Sequence, residues 1–305
     1  MTSKSNRSWT IYGRLIALSM LVLLFISTTG CKQERPAVPM TAGSFNIWCG
    51  VIDTGAFPWK TRCEQIAALI RFHDYDIIGM QEVRPEQMAD LGKALPEYTA
   101  VGTGRDGNGQ GEHSPVFFRT ERYALLDSGT FWLSERPDTV SIGWDAAYNR
   151  ICTWVKLNDR FNDKEFFYFN THLDHLGPAA RHNGALLICD RIQEKAANNY
   201  PIFCSGDFNA EWEADPIKVM REHLTSSREA SQTPPYDLGN QISYNGVPVG
   251  QGSMAIPDTL DGHTEIDYVF VNDRVDVLKY GILRDSDGKH YPSDHYPILI
   301  KAELK

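Results

Sequence analysis

The sequence predicts an α/β fold in which two packed β-sheets are covered by helices, and three observations predict it. Nine apolar runs rich in β-branched and aromatic residues are each bounded by Gly, Pro, Asn or Asp. Helical periodicity falls between some of these runs. No interior linker marks a second domain, so strands and helices share one core. The 305 residues, 42% hydrophobic and 11% aromatic, are enough for it.

In chain order the strand-like runs are residues 42–48, 76–83, 114–119, 124–133, 150–157, 165–173, 201–208, 265–271 and 295–304. Residues 62–72 place Cys63, Ile66, Ala67 and Ile70 on one helical face. Residues 178–197 do the same with Ala180, Leu187, Ile188 and Ile192. Residues 85–95 and 215–223 are shorter helix candidates. The stretch 231–264 is irregular, rich in Gly, Pro, Asn and Ser, and a loop of that length is usually functional or mobile.

Residues 1–30 read as a leader outside the fold. Lys4, Arg7 and Arg14 precede an apolar run, and Thr28, Thr29 and Gly30 precede Cys31. The apolar run is marginal for a membrane span, which needs about 20 residues. The segment before Cys31 resembles a loose bacterial lipobox, which implies lipid attachment at Cys31, export and a membrane-anchored product. An ordinary cleaved signal or an uncleaved anchor is the alternative. Residues 31–40 then read as a Pro-stiffened tether and 41–305 as the domain.

Loss of Lys4, Arg7 and Arg14 takes the net charge from −9 to −12. So acidic a surface repels polyanions and disfavours duplex nucleic acid as the main partner. Cys49, Cys63, Cys152, Cys189 and Cys204 are odd in number, so one at least is unpaired within the chain. Buried thiols are the expectation, with one disulfide possible in an exported protein. No CxxC suggests zinc or redox chemistry.

Polar residues interrupt or end six of the apolar runs. They are Asn46, Glu82, His172 with Asp174 and His175, Asp207 with Asn209, Asp267, and Asp294 with His295. A charge buried at such a position without a partner costs several kcal/mol. Six runs doing so together point to strand ends converging on one site. Side-chain alternation at period 2 aims Asp207 and Asn209 the same way and Phe208 into the core. Ser205-Gly206 lets a neighbouring backbone approach. Carboxylate and carboxamide oxygens without cysteine suit a hard cation such as Mg²⁺ or Mn²⁺, with Glu82 as its primary ligand. Histidines beside carboxylates can deliver protons and stabilise phosphoryl charge. GxSxG, HExxH, Walker A and GxGxxG motifs are absent, which removes serine-hydrolase, zincin, NTPase and dinucleotide readings.

The ordered set Asn46, Gln81-Glu82, His172, Gly206-Asp207-Phe208-Asn209, Asp267 and Ser293-Asp294-His295 resembles the endonuclease/exonuclease/phosphatase superfamily over residues 41–305. The resemblance implies a four-layer α/β sandwich, two mixed β-sheets flanked by helices. It implies Glu82 as metal ligand, helped by Asn46 and Asp294, and Asp207 as the group that orients or deprotonates the attacking water. Asn209 then contacts phosphate or water, His295 stabilises phosphate while held by Asp267, and His172 stands near the leaving oxygen. Arg150 resembles a phosphate clamp, with an ordinary strand-start charge as the equal alternative. His175 and Asp174 read as supporting or solvated groups. For His113, core or surface placement fits as well as a substrate contact. Of Trp48, Trp59, Trp144, Tyr148 and Trp212, most are expected in the core and one or two at a cleft.

The function expected is an Mg²⁺- or Mn²⁺-dependent phosphoesterase, a monomer acting on a small or exposed substrate. Two alternatives stay open: an extracellular nuclease, and an inactive surface lipoprotein that binds a phosphorylated ligand. Residues 231–264 favour the small substrate, carrying Tyr236, Tyr244 and glycines but no lysine and no arginine.

Overall fold

The computed structural model describes residues 38–50, 58–197, 199–237, 243 and 265–305. The leader, Cys31 and most of the tether lie outside these residues. So does most of the 231–264 segment, Tyr244 included.

The apolar runs form two six-stranded mixed sheets. The first contains β1 (Met40–Asn46), β2 (Ile77–Gln81), β3 (Tyr98–Val101), β4 (Val116–Arg119), β11 (Val275–Ile282) and β12 (Ile298–Leu304), in the order β11-β12-β1-β2-β4-β3. The second contains β5 (Tyr123–Trp132), β6 (Ile151–Asp159), β7 (Lys164–His172), β8 (Ile202–Asp207), β9 (Thr225–Ser226) and β10 (Asp267–Val271), in the order β5-β6-β7-β8-β10-β9. Two neighbouring pairs are parallel, β1 with β2 and β7 with β8. Each is joined by a crossover helix, α1 (Trp59–Phe72) and α3 (Pro178–Ala196). The remaining helices are α2 (Pro85–Ala94) and α4 (Asp215–His223).

Three apolar layers hold these elements together. Between the sheets, Ile77, Val116 and Phe118 of the first meet Val155, Phe166, Tyr168 and Phe203 of the second. Ile66 and Ile70 of α1 and Leu91 of α2 pack on the outer face of the first sheet against Phe45, Ile78 and Met80. Ile188 and Ile192 of α3 and Ile217 and Met220 of α4 cover the second sheet. Strands buried on both faces cannot alternate apolar with polar, so they read as near-continuous apolar runs. The result is the expected four-layer α/β sandwich.

A polar band crosses the inter-sheet layer just below the ends of β2, β7 and β8. Fully buried Asn170 donates to the carbonyls of Met80 (2.7 Å) and Pro115 (2.9 Å). Its Oδ1 accepts from Gln81 Nε2 (2.6 Å) and Ser205 Oγ (3.0 Å). A Cβ on Gly79 would stand 2.3 Å from Ser205 Oγ and 2.4 Å from Asn170 Oδ1, so the band needs glycine there. Gly206 is equally constrained, since its Cβ would lie 2.4 Å from the Thr171 carbonyl of neighbouring β7.

The sequence reading differs from this architecture at a few points. β3, β9 and β11 are additional strands. β3 and β9 are only four and two residues long, and β11 carries Asp276 and Lys279 within its apolar run. The expected tether ran to Met40, but Met40 opens β1 and is buried. Arg122 holds the residues before it, donating to the carbonyls of Pro39 (3.0 Å) and Val38 (3.1 Å). All five described cysteines are free, four of them buried.

Candidate active site

The strand polarity explains why the polar residues meet. β1, β2, β7 and β8 all run toward the same end of their sheets, where their terminal residues lie side by side: Asn46 pairs with Gln81 and His172 with Asp207. Antiparallel β10 begins at that end, with Asp267 opposite Asp207. Ser293-Asp294-His295 precedes β12, and Ser293 Oγ ties it down by donating to the Asn46 carbonyl (2.6 Å).

Asp207, 2% exposed, is the hub. Its Oδ2 accepts from Asn46 Nδ2 (2.9 Å) and lies 3.4 Å from His172 Nε2 and 3.7 Å from His295 Nε2. Its Oδ1 accepts from the Asn209 backbone N–H (2.9 Å). Burial and the neighbouring Asp267 push its carboxyl up to about 7. His295 behaves oppositely. Burial opposes its charge, but Asp267 and Asp207 outweigh that and hold the ring cationic well above the usual range. Its Nδ1 donates to Asp267 Oδ2 (2.8 Å). Burial and the Arg150 charge push His172 well below the usual range, so it is neutral. Its Nε2 accepts from Asn209 Nδ2 (3.0 Å).

Glu82 follows β2 in a left-handed backbone conformation, φ 62°, which turns its carboxylate back over the sheet ends. It accepts from Asn46 Nδ2 (3.1 Å) and from the Cys49 N–H (2.9 Å). Burial raises its carboxyl, yet the Cys49 N–H, His295 and Asn46 prevail and keep it below its ordinary value. Asn46 turns its Nδ2 toward both carboxylates, because its Oδ1 is occupied by the Trp48 N–H (3.0 Å). In this orientation it holds Glu82 and Asp207 and presents no oxygen to a cation. Burial raises Asp294 to about 6. Asn209 reaches His172 by a route other than the expected alternation. β8 ends at Asp207 and Asn209 sits at φ 47°, so a turn places its side chain there. Phe208 does enter the core.

One donor atom each from Glu82, His172 and Asp207 lies within 4.8 Å of the others, and the same holds for Asp207, Asp267 and His295. The second trio already contains a cationic imidazole paired with Asp267. The first, with its ionised Glu82, fits a divalent cation.

Beside this cluster is a pocket whose lining includes Glu82, Arg105, Glu112, Asn149, Arg150 and His172. Arg150 is 5% exposed, so it is no ordinary strand-start charge. Its Nε donates to Asp174 Oδ2 (3.2 Å) and its Nη2 lies 3.0 Å from His175 Nδ1. Its Nη1 has no partner among the described residues. Asp174 is buried and organises the turn. It also accepts from the N–H groups of Ala147, Leu176 and Gly177 (3.1, 3.0 and 2.8 Å). His113, also in the lining, is buried, with Nδ1 near the carbonyls of Val83 and Gly111. Trp59 is core, whereas half-exposed Tyr148 lies against Arg105 and stacks on His175.

Sequence reasoning missed Arg105, Glu112, Asn149 and Arg62. Arg62, 1% exposed, donates to the carbonyls of Ile47, Trp48 and Pro292 and so staples the β1 end to the Ser293 turn. Charges inside a helix or loop carry no signal of this kind in a single sequence.

The endonuclease/exonuclease/phosphatase family model matches residues 43–295. The chain belongs to this family. A family protein of known structure from Bacteroides vulgatus is 34% identical, with a TM-score of 0.80 over 88% of this chain and 100% of that one. A Bacteroides thetaiotaomicron mannosyl-6-phosphatase is 32% identical, with a TM-score of 0.77 over 86% and 99%. A CCR4-Not complex 3′-5′-exoribonuclease subunit from Aspergillus niger is 23% identical over 92% of this chain and 54% of that protein. The chain is thus a phosphoesterase of this family with a buried acidic and histidine cluster that fits a divalent metal.

Proposed function

We propose that this chain is an Mg²⁺- or Mn²⁺-dependent phosphoesterase that hydrolyses a small or exposed phosphoester with an activated water. The observation that carries the reading is Asp207. It is a buried carboxyl at the meeting point of both sheets, its Oδ2 3.4 Å from His172 Nε2 and 3.7 Å from His295 Nε2, held by Asn46 and the Asn209 N–H. A carboxylate held at this position beside two imidazoles is placed to take a proton from an attacking water.

Glu82 would hold the cation, which would supply neutralisation of the phosphate charge there. Asp207 orients the water and accepts its proton. Asn209 fixes that water against the phosphorus, and His172 stands on the opposite, leaving-oxygen side. His295, held by Asp267, donates to a phosphoryl oxygen. Arg150 donates its unpartnered Nη1 to another. Asn46 positions both carboxylates, and Asp294 supports the Glu82 end.

The mannosyl-6-phosphatase likeness and the absence of a basic run support a small substrate over duplex DNA. The exoribonuclease likeness keeps a nuclease as the second reading. The leader and Cys31 support export with lipid anchoring as part of this proposal. A panel of p-nitrophenyl phosphate, bis-p-nitrophenyl phosphate, sugar phosphates, RNA and plasmid DNA, with Mg²⁺, Mn²⁺ or EDTA, tests it. Metal-dependent cleavage of small esters is expected. Plasmid cut faster than every small ester, with a steep fall in added salt, gives the function to the nuclease reading.

A further inference from the structure

We infer that Arg62 of α1 is a positioning residue for the reaction: its guanidinium locks the turn that orients Asn46 and Glu82 to the turn that carries Asp294 and His295. The inference rests on the phosphoesterase reading and adds to it a single buried side chain that sets both metal affinity and the placement of His295. Two connections meet at the site end of the first sheet. Residues 47–50 leave β1, and residues 292–297 lead into β12. The first connection orients two site residues. The Trp48 N–H occupies Asn46 Oδ1 (3.0 Å) and so turns Asn46 Nδ2 toward the carboxylates, and the Cys49 N–H donates to Glu82 Oε2 (2.9 Å). Trp48 does this from the left-handed region, φ 60°, where a bulky residue persists only when its surroundings hold it. Its carbonyl is held from two helices, by Arg62 Nη2 (3.2 Å) and by Gln87 Nε2 of α2 (3.1 Å). Its ring lies against the same guanidinium, 4.9 Å from Cζ to the centroid.

The second connection is fixed by the same group. Arg62 Nη1 donates to the Ile47 carbonyl (2.7 Å) and to the Pro292 carbonyl (3.0 Å), so one nitrogen bridges the two turns. Ser293 follows, its Oγ donating to the Asn46 carbonyl (2.6 Å) and accepting from the His295 N–H (3.2 Å). A shift of the Pro292 carbonyl therefore carries the His295 backbone with it, and with that the imidazole 3.7 Å from Asp207. A planar guanidinium, with donors in fixed directions, meets three carbonyls on two turns at once. An ammonium is a point charge on a flexible stem and does not reproduce that geometry. Loss of the fork thus moves two properties that depend on different groups, metal affinity through Glu82 and turnover through His295. Loss of a group that orients a metal-binding carboxylate costs about 10–100-fold in affinity. Misplacing a reacting group by about 1 Å costs about 10²-fold in rate.

The test compares the full chain as wild type, Arg62→Lys, Arg62→Ala and Ile66→Ala, each kept below the onset of its thermal melt. Ile66, fully buried one turn along α1 in the outer apolar layer, controls for a loosened helix. Calorimetric titration of Mn²⁺ reads metal affinity without turnover. Steady-state rates on p-nitrophenyl phosphate and bis-p-nitrophenyl phosphate at saturating Mn²⁺ separate kcat from KM. In both Arg62 variants the Mn²⁺ Kd is expected to rise about ten-fold or more, and kcat to fall about 10–10²-fold with KM kept. Lysine, which keeps the charge and one donor group, should lose less than alanine and carries the test if alanine does not fold. Ile66→Ala should melt lower yet bind Mn²⁺ and turn over as wild type does. Folded Arg62 variants with wild-type Mn²⁺ affinity and kcat overturn the inference and leave the phosphoesterase reading standing. Equal losses in Ile66→Ala overturn it as well, because a loosened helix then suffices. Mn²⁺ binding that both Arg62 variants weaken, without turnover of any ester by wild type, sustains the positioning role and ends the catalytic reading. Without Mn²⁺ binding and without turnover in wild type, both fall.

Discussion

Asn170→Leu should loosen the ends of β2, β7 and β8 together. The side chain is fully buried and makes four hydrogen bonds, to the Met80 and Pro115 carbonyls and from Gln81 and Ser205. Each is worth about 1 kcal/mol net, so their loss costs about 4 kcal/mol. Three partners keep an alternative: Gln81 still donates to Ser44, Ser205 to the Phe169 carbonyl, and the Pro115 carbonyl still accepts from the Met80 N–H. Leucine fills a similar volume and recovers about 1–2 kcal/mol of apolar burial. The expected net loss is about 2–3 kcal/mol, or about 5–10 °C in Tm for a domain of this size. Urea titration gives the first number and calorimetry the second. Because Gln81 adjoins Glu82, affinity for the activating metal should fall as well. A variant that melts within about 1 °C of wild type would refute the role assigned to the polar band.

Three further outcomes are expected. Burial pushes Glu265 up to about 7, so below its unfolded value near 4.5 it imposes no cost. Its folded pKa lies above the unfolded one, so stability falls as pH rises from about 4.5 to about 7 and then levels. Glu265→Gln should flatten that fall in urea titrations across this range; an unchanged slope counts against it. Arg150→Ala should cut kcat/KM by about ten-fold or more by removing a charged donor to phosphate, whereas an undiminished rate would return Arg150 to a structural role. Cys31→Ser should leave the protein unprocessed or release it from the membrane fraction, and unchanged partition and mature mass would dismiss the lipid anchor.

Much of the site could be read in the sequence because strand ends are conspicuous. A charge closing an apolar run is anomalous, and Glu82, His172, Asp207, Asp267 and His295 are all of that kind. The structure brings all five together at one end of the two sheets. Asn209 arrived there for a different reason from the one expected, a left-handed turn after β8 in place of strand alternation. Asn170 was passed over although it lies in the same run as His172, because one carboxamide among apolar neighbours looks like any satisfied core polar group. Arg105 and Glu112 lie in irregular chain, where charges are ordinary and only the folded structure shows that they are paired and largely buried. The fold class followed from near-continuous apolar strands, but β11 was missed because its alternation is broken by a register shift between Val277 and Lys279.

The most direct measurement is the steady-state rate of wild type and Asp207→Asn on one small phosphoester in saturating Mg²⁺, each repeated in EDTA. Asparagine keeps the shape and, with its one oxygen, accepts from one of Asn46 and Asn209, but it cannot accept the water's proton. The account predicts a folded variant whose kcat is lower by about 10²–10⁴-fold, and no wild-type turnover in EDTA. A folded Asp207→Asn protein that keeps the wild-type rate, or full wild-type activity without metal, would contradict it.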